Sequence, residues 1–216
     1  MDKKNIELVI FDKDGLMIDS ERIIYDCWKW AFGERGLPFS DELFMSLIGI
    51  TDNDSRKLIT ELFGEGEMQK IKQLSREFFD SNRDRIPSPV KPGLFELFDA
   101  IERKGLKKAV ATSATKNHAE RSLGHYEILN RMDALVTGDM VSHSKPAPDI
   151  FLKCAKILGV PPSRCLVLED SNAGITAAKR AGMSAILVPD IVMNPPEILD
   201  MCDACCETLL DVIDYL

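Results

Sequence analysis

No stretch of this chain is densely basic, and none is apolar for long enough to cross a membrane. With a formal net charge of −8, nucleic acid is a poor partner, because binding a polyphosphate needs a basic face. A small anion needs only local positive charge and stays open. The amino terminus carries Lys3 and Lys4 and a short apolar run, but it meets Asp12 at once and makes a poor secretory signal. Cysteine chemistry is thin. Cys27, Cys154 and Cys165 have no metal-ligand spacing, and Cys202, Cys205 and Cys206 lack a second Cys-x-x-Cys pair or a nearby His. Cys154 and Cys165 are expected as core thiols and the 202–206 group as thiols on a strand and its approach, and the expectation is a reduced, cytoplasmic protein. There is no internal repeat and no low-complexity segment. No G-x-S-x-G elbow surrounds Ser113, and Gly15 comes too early for an EF-hand loop. His118, His125 and His143 sit in no catalytic pattern and are expected at the surface.

What is present is ordinary soluble composition, 45% hydrophobic with 29% charged residues over 216 positions, enough to bury a real core. The chain is organised around its first apolar run, Leu8-Val9-Ile10-Phe11, which stops at Asp12-Lys13-Asp14-Gly15. A short apolar run without alternation is the mark of a strand buried on both faces, as in a parallel sheet. Gly15 lets the chain turn away.

Helical spacing follows over 20–35, 40–47, 52–63 and 67–85, with breaks at Gly36-Leu37-Pro38, Gly49-Ile50-Thr51 and Gly64-Glu65-Gly66. No strand-like run occurs there. Trp28 and Trp30 are expected as packing residues. The stretch 86–93, rich in Pro, reads as a stiff return linker. From Leu94 helix and strand alternate: helix 94–104, strand 108–112, helix 116–123, strand 132–137, helix 148–158, strand 165–168, helix 172–181, strand 184–188. An edge strand and a last helix are expected over 203–216. The predicted fold is α/β, a doubly wound Rossmann-like parallel sheet over 1–19 and 90–216, with an inserted all-helical subdomain over 20–89.

Strand ends of a parallel sheet share one edge, so polar residues far apart in sequence can converge there. Asp12 and Asp14 follow the first strand, Ser113 the second and Glu169-Asp170 the fourth, while the third leads through Asp139 towards Lys145. Converging carboxylates repel, and a hard cation such as Mg²⁺ with oxygen ligands relieves them. A carboxylate can attack phosphorus when a cation and a lysine neutralise the incoming phosphate. Asp12 as nucleophile and Asp14 as general acid and base fit that division, since residues i and i+2 of an extended chain point the same way. By the same alternation Lys13 is expected to point away and to matter little.

Phe11-Asp12-Lys13-Asp14-Gly15, Ser113, Lys145-Pro146 and Glu169-Asp170-Ser171-Asn172-Ala173-Gly174 resemble the four ordered motifs of the haloacid dehalogenase superfamily. The stretches SHSKPAPDIF and LGVPPSRCLVLEDSNAGITAAKRAGM resemble its β-phosphoglucomutase and sugar-phosphatase branch. The resemblance implies a helical cap and an aspartyl-phosphate on Asp12. It implies an acid/base role for Asp14, whose carbonyl would also bind Mg²⁺. Ser113 and Lys145 would hold the phosphoryl group, Ala114 and Asn117 would flank it, and Glu169 and Asp170 would form the acid pair on Mg²⁺. Two positions depart from the mutase pattern: Ile24 stands where a His is expected and Asp52 where an Arg is expected after Gly49. A Mg²⁺-dependent phosphatase acting on a small phosphorylated metabolite, with a sugar phosphate as the expected class, is therefore favoured over a hexose-phosphate phosphomutase. A non-catalytic binding protein is the third reading. No nucleic-acid or membrane partner is expected, a monomer is the expected state, and specificity is expected around 49–53.

Overall fold

The computed structural model describes residues 6–47, 52–82, 89–124, 126–190 and 195–216. It divides into two compact units, Met1–Asp19 with Pro89–Leu216, and Ser20–Ser88. The stretches 49–51 and 86–88 and His125, on which several expectations fall, lie outside the described residues.

The first unit is a six-stranded parallel sheet. The strands are β1 (Leu8–Phe11), β2 (Lys107–Thr112), β3 (Ala134–Thr137), β4 (Cys165–Glu169), β5 (Ser184–Leu187) and β6 (Ala204–Cys205), in spatial order β3-β2-β1-β4-β5-β6. β1 is central because both its faces are apolar. Leu8 and Ile10 enter one core with Ile150, Phe151 and Cys154 of α7 (Asp149–Leu158) and Ile175 and Ala178 of α8 (Asn172–Arg180). Val9 and Phe11 enter the other with Leu94, Leu97, Phe98 and Ile101 of α5 (Leu94–Arg103) and Leu123 of α6 (Lys116–Gly124). All four β1 residues are fully buried, and each such side chain contributes about 1.5–3 kcal/mol of transfer free energy. The chain runs outward through β2 and β3, then returns to the other side of β1 for β4 and β5. The direction of winding therefore reverses beside β1, where open α/β sheets leave a crevice at their carboxyl edge.

The second unit is helical: α1 (Ser20–Glu34), α2 (Asp41–Leu47), α3 (Asp52–Phe63) and α4 (Glu67–Asn82). Its core gathers Ala31, Phe32, Leu47, Ile59, Met68 and Ile71. Trp28 and Trp30 pack against it, Trp30 stacked on Phe78 at 4.9 Å between centroids. Arg35 clasps Glu67 through two hydrogen bonds of 2.9 and 3.0 Å.

Two expectations change. A short helix, α9 (Pro196–Met201), precedes β6; its double proline at 195–196 reads as a loop, yet Pro is tolerated in a first helical turn. The last helix is only a 3₁₀ turn, Asp211–Tyr215. No helix among the described residues is long and apolar enough to cross a membrane.

Candidate active site

β1 delivers Asp12 to the carboxyl edge of the sheet, and the Asp12 N–H still donates to Leu168 O at 3.0 Å. β4 delivers Glu169 beside it. Lys145 reaches in from the loop after β3 and bonds to both: its Nζ donates to Asp12 Oδ1, and to Glu169 Oε1 at 2.6 Å. It also touches Ala111 O at 3.4 Å and lies 5.0 Å from the centroid of the Phe151 ring. The three side chains are 7%, 10% and 1% exposed for Lys145, Asp12 and Glu169, so the ion pairs are desolvated and strongly felt.

Glu169 is held from behind. Its Oε2 accepts from the Ser171 N–H at 2.9 Å and from Ser171 Oγ at 2.8 Å. Ser171 Oγ in turn accepts from Gly174 N at 3.1 Å and so caps α8. Gly174 has to be glycine, because a β-carbon there would fall 1.7 Å from Glu169 Oε1.

Carboxylate oxygens of Asp12, Glu169 and Asp170 lie within 4.8 Å of one another. Burial pushes the Asp12 carboxyl up to about 7, Lys145 opposing and Glu169 reinforcing. Burial, then the charges of Glu169 and Asp12, push Asp170 up to about 9. Glu169 is also penalised by burial, but Lys145 and the Ser171 bonds hold it below its ordinary value. Burial likewise opposes the Lys145 charge, and Asp12 and Glu169 outweigh it, raising the ammonium above an ordinary lysine. One lysine thus neutralises part of a site with three acids. The donor set is all oxygen, with acids that prefer a proton in the absence of further positive charge. That chemistry fits a hard divalent cation.

Asp14 stands apart from the trio. Its carboxylate is outside the trio, its side chain is 43% exposed, and it is paired with Lys13 Nζ. The period-two rule has no ladder to act on here, because β1 has already ended at Phe11. From Lys13 the chain is a turn, with Lys13 O accepting from Met17 N and Ile18 N, and Gly15 at φ 80°. Lys13 itself is fully buried, its ammonium on Asp14. That pairing with Asp14 is a contact the sequence reading did not assign to Lys13.

The second strand end supplies Ser113, exposed and two residues short of the α6 helix start-point at Thr115, whose O accepts from Ala119 N. Ser113 O lies 2.3 Å from the β-carbon position of Gly138, a close approach only glycine allows. The Ala114 N–H is engaged by Thr112 Oγ1 at 3.1 Å, and Asn117 Oδ1 accepts from Arg121 at 3.2 Å. Asp139 turns to Thr137 and to the Lys116 N–H and does not join the acids. His118 and His143 are exposed, and all six cysteines are free. Sequence reasoning passed over Asp190, which follows β5 at the same sheet edge. The strand-end rule applied to Asp12 could have found it.

The family model for haloacid dehalogenase-like hydrolases matches residues 9–188. The fructose-1-phosphate phosphatase YqaB of Escherichia coli K12 is 34% identical over 180 residues, 82% of this chain and 94% of that one. The β-phosphoglucomutase of Bacillus subtilis 168 is 31% identical over 189 residues, 84% of this chain and 82% of that one. Another curated relative, 34% identical over 193 residues, is much longer, and the chain spans 18% of its length. The crystal structure of CbbY from Rhodobacter sphaeroides in complex with phosphate superimposes with a TM-score of 0.70 at 25% identity, covering 96% of each chain.

Proposed function

The chain belongs to the haloacid dehalogenase-like hydrolases, and on that footing we propose that it is a Mg²⁺-dependent phosphatase of a small phosphomonoester, with a sugar phosphate as the substrate class. The observation that carries this is the buried Lys145 ammonium held between Asp12 and Glu169, with Asp170 completing a trio of acids. Asp12 and Asp170, with the Asp14 carbonyl, would hold Mg²⁺, and Glu169 would support them. The cation supplies charge neutralisation for the phosphate and for the acids around it.

Asp12 attacks phosphorus, its new O–P bond forming as the bond to the ester oxygen breaks. Lys145 is already on Asp12 and offers its charge to the arriving phosphate. Asp14 gives its proton to the departing alkoxide, then takes one from water as that water attacks the aspartyl-phosphate. Inorganic phosphate leaves and Asp12 is restored. Ser113 is exposed at its strand end and free to receive a phosphoryl oxygen. The similarity to YqaB supports the sugar phosphate class.

The relative named β-phosphoglucomutase supports a second reading, a phosphomutase sharing the first half-reaction. Ile24 argues against it: at the position where the resemblance expects a His, α1 carries an apolar side chain, 43% exposed. The test is phosphate release from a panel of sugar phosphates, with and without Mg²⁺, for the parent and Asp12→Asn. Release requiring both Mg²⁺ and Asp12 is expected. Interconversion of hexose 1- and 6-phosphates without release would establish the mutase. Neither activity, together with no phosphorylation of Asp12 by acetyl phosphate, would make the chain a binding protein.

A further inference from the structure

Asp190 Oδ2 is the one buried side-chain oxygen or nitrogen among the described residues left without a hydrogen-bond partner. Its side chain is 8% exposed, and its other oxygen, Oδ1, is paired with Lys91 Nζ. Lys91 therefore anchors the carboxylate by one oxygen and leaves the second free to accept. An unpaired acceptor so deeply buried is costly unless something comes to meet it.

The place it occupies is not remote. β5 pairs with β4 so that Leu187 lies beside Glu169, and Val188 N donates to Glu169 O at 2.8 Å. Asp190 is two residues further along that edge. Its Oδ2 lies 3.4 Å from the position a β-carbon on Gly15 would take, and Asp170 Oδ2 lies 2.1 Å from the same point. The missing side chain of Gly15 is a notch into which both carboxylates point. Yet Asp190 is not one of the three acids whose oxygens lie within 4.8 Å of one another. It is close to the acids and set back from them.

We propose that Asp190 is a further residue of the cation site, its Oδ2 accepting from water that the ion retains. A divalent ion of the Mg²⁺ type keeps several waters, each with protons to place. Glu169 cannot serve them freely, since Lys145 and Ser171 take its oxygens. Asp190 supplies the acceptor that Glu169 does not. The proposal rests on Asp12 and Asp170 holding the cation. A bare ion pair with Lys91 is the competing account, and it leaves the orientation of Oδ2 unexplained.

Mg²⁺ binding to the full chain, read by isothermal titration calorimetry, separates the two. Asp190→Asn keeps the shape and removes the charge, and it is expected to weaken Mg²⁺ about tenfold or more, as loss of an outer-shell partner does. The rise in melting temperature on adding Mg²⁺ should shrink in parallel. Asp170→Asn serves as the reference for loss of a direct holder. Unchanged Mg²⁺ affinity in Asp190→Asn, with affinity lost in Asp170→Asn, overturns the proposal and leaves Asp190 as the partner of Lys91 alone. No Mg²⁺ binding by the parent overturns the cation reading of the whole site, and Asp190 falls with it. Should Asp190→Asn not fold, Asp190→Ser removes the carboxylate, leaves room for water, and gives the same comparison.

Discussion

Replacing Gly174 by Ala tests how tightly the acid–lysine cluster is built. The new methyl would lie 1.7 Å from Glu169 Oε1, 1.8 Å from its Cδ and 2.4 Å from Oε2, so either the carboxylate or helix α8 must move. The helix is fixed by its Ser171 cap and by Ile175 N donating to Ser171 O at 3.0 Å. The carboxylate can move only by giving up Lys145 and Ser171. Breaking one side of a buried charge pair costs about 3–5 kcal/mol, and the better helix propensity of Ala returns up to about 1 kcal/mol. The net loss is about 2–4 kcal/mol. At roughly 2–4 °C per kcal/mol for a chain of this size, melting should fall by about 5–15 °C. Lys145 would also be displaced from Asp12, and a shift of that order costs about 10²-fold in turnover. Thermal melting and Mg²⁺-dependent phosphate release measure the two effects. The decisive comparison is Gly174→Ala in a Glu169→Ala background, where the three atoms nearest the methyl are gone. There it should cost nothing or stabilise slightly. An equal cost in both backgrounds would refute the collision with Glu169.

Three further outcomes are expected. Without metal, burial pushes the Asp12 and Asp170 carboxyls up, to about 7 and about 9, so the metal-free fold binds these protons more tightly than the unfolded chain does. Their contribution to stability is largest at acid pH and declines as pH rises from the ordinary carboxylate range through 7 and 9. Mg²⁺ must displace the protons, so its affinity should rise about tenfold per pH unit for each proton released; calorimetry in two buffers of different ionisation enthalpy counts them, and none released at pH 7.5 would contradict the titration. In the helical unit Glu67 is held down at about 2, first by Arg35 and then by Lys70. Its contribution is present above about 4.5 and is lost as pH falls towards 2. The emission of Trp28 and Trp30, the only two tryptophans, should report that loss, and Glu67→Gln should be less stable at pH 6 and flatter below 4.5; matching acid profiles for the two proteins would count against the clasp. Lys13→Met should melt at or above the parent, because it removes a buried ammonium whose partner Asp14 is 43% exposed and can rehydrate. Turnover should still fall about tenfold or more as Asp14 loses its tether; a large drop in melting with unchanged turnover would reverse that assignment.

The sheet was legible because strands buried on both faces cannot hide. Each shows as a short apolar run, and Gly105, Gly159 and Gly182, all at positive φ, close the helices between them. Helix α9 was not legible, since six residues opening on a double proline carry too little periodicity to count. The acids at the ends of β1 and β4 were legible for a topological reason: parallel strands deliver their carboxyl ends to one edge whatever their distance in sequence. Lys145 was legible only in part. It stands in a loop without a period; the third strand end pointed towards it, and its resemblance to a known motif gave it a role.

Asp14 and Lys13 mark where the period-two rule stops. Alternation belongs to the extended chain, and the ladder of β1 ends at Phe11. Asp12 is the last residue still bonded to β4 through its N–H, so it keeps the direction the strand imposes. One residue later the backbone turns on Lys13 O, and side-chain directions follow the turn. Lys13, next to Asp12, then reaches the following aspartate, and Asp14 stays with that lysine outside the trio of acids. The same turn brings Gly15 against Asp170 and Asp190. A single break in extension thus leaves Asp14 outside the trio that holds Asp12 and opens the notch where two further carboxylates meet. Neither consequence follows from spacing alone, because spacing gives direction only while the strand lasts.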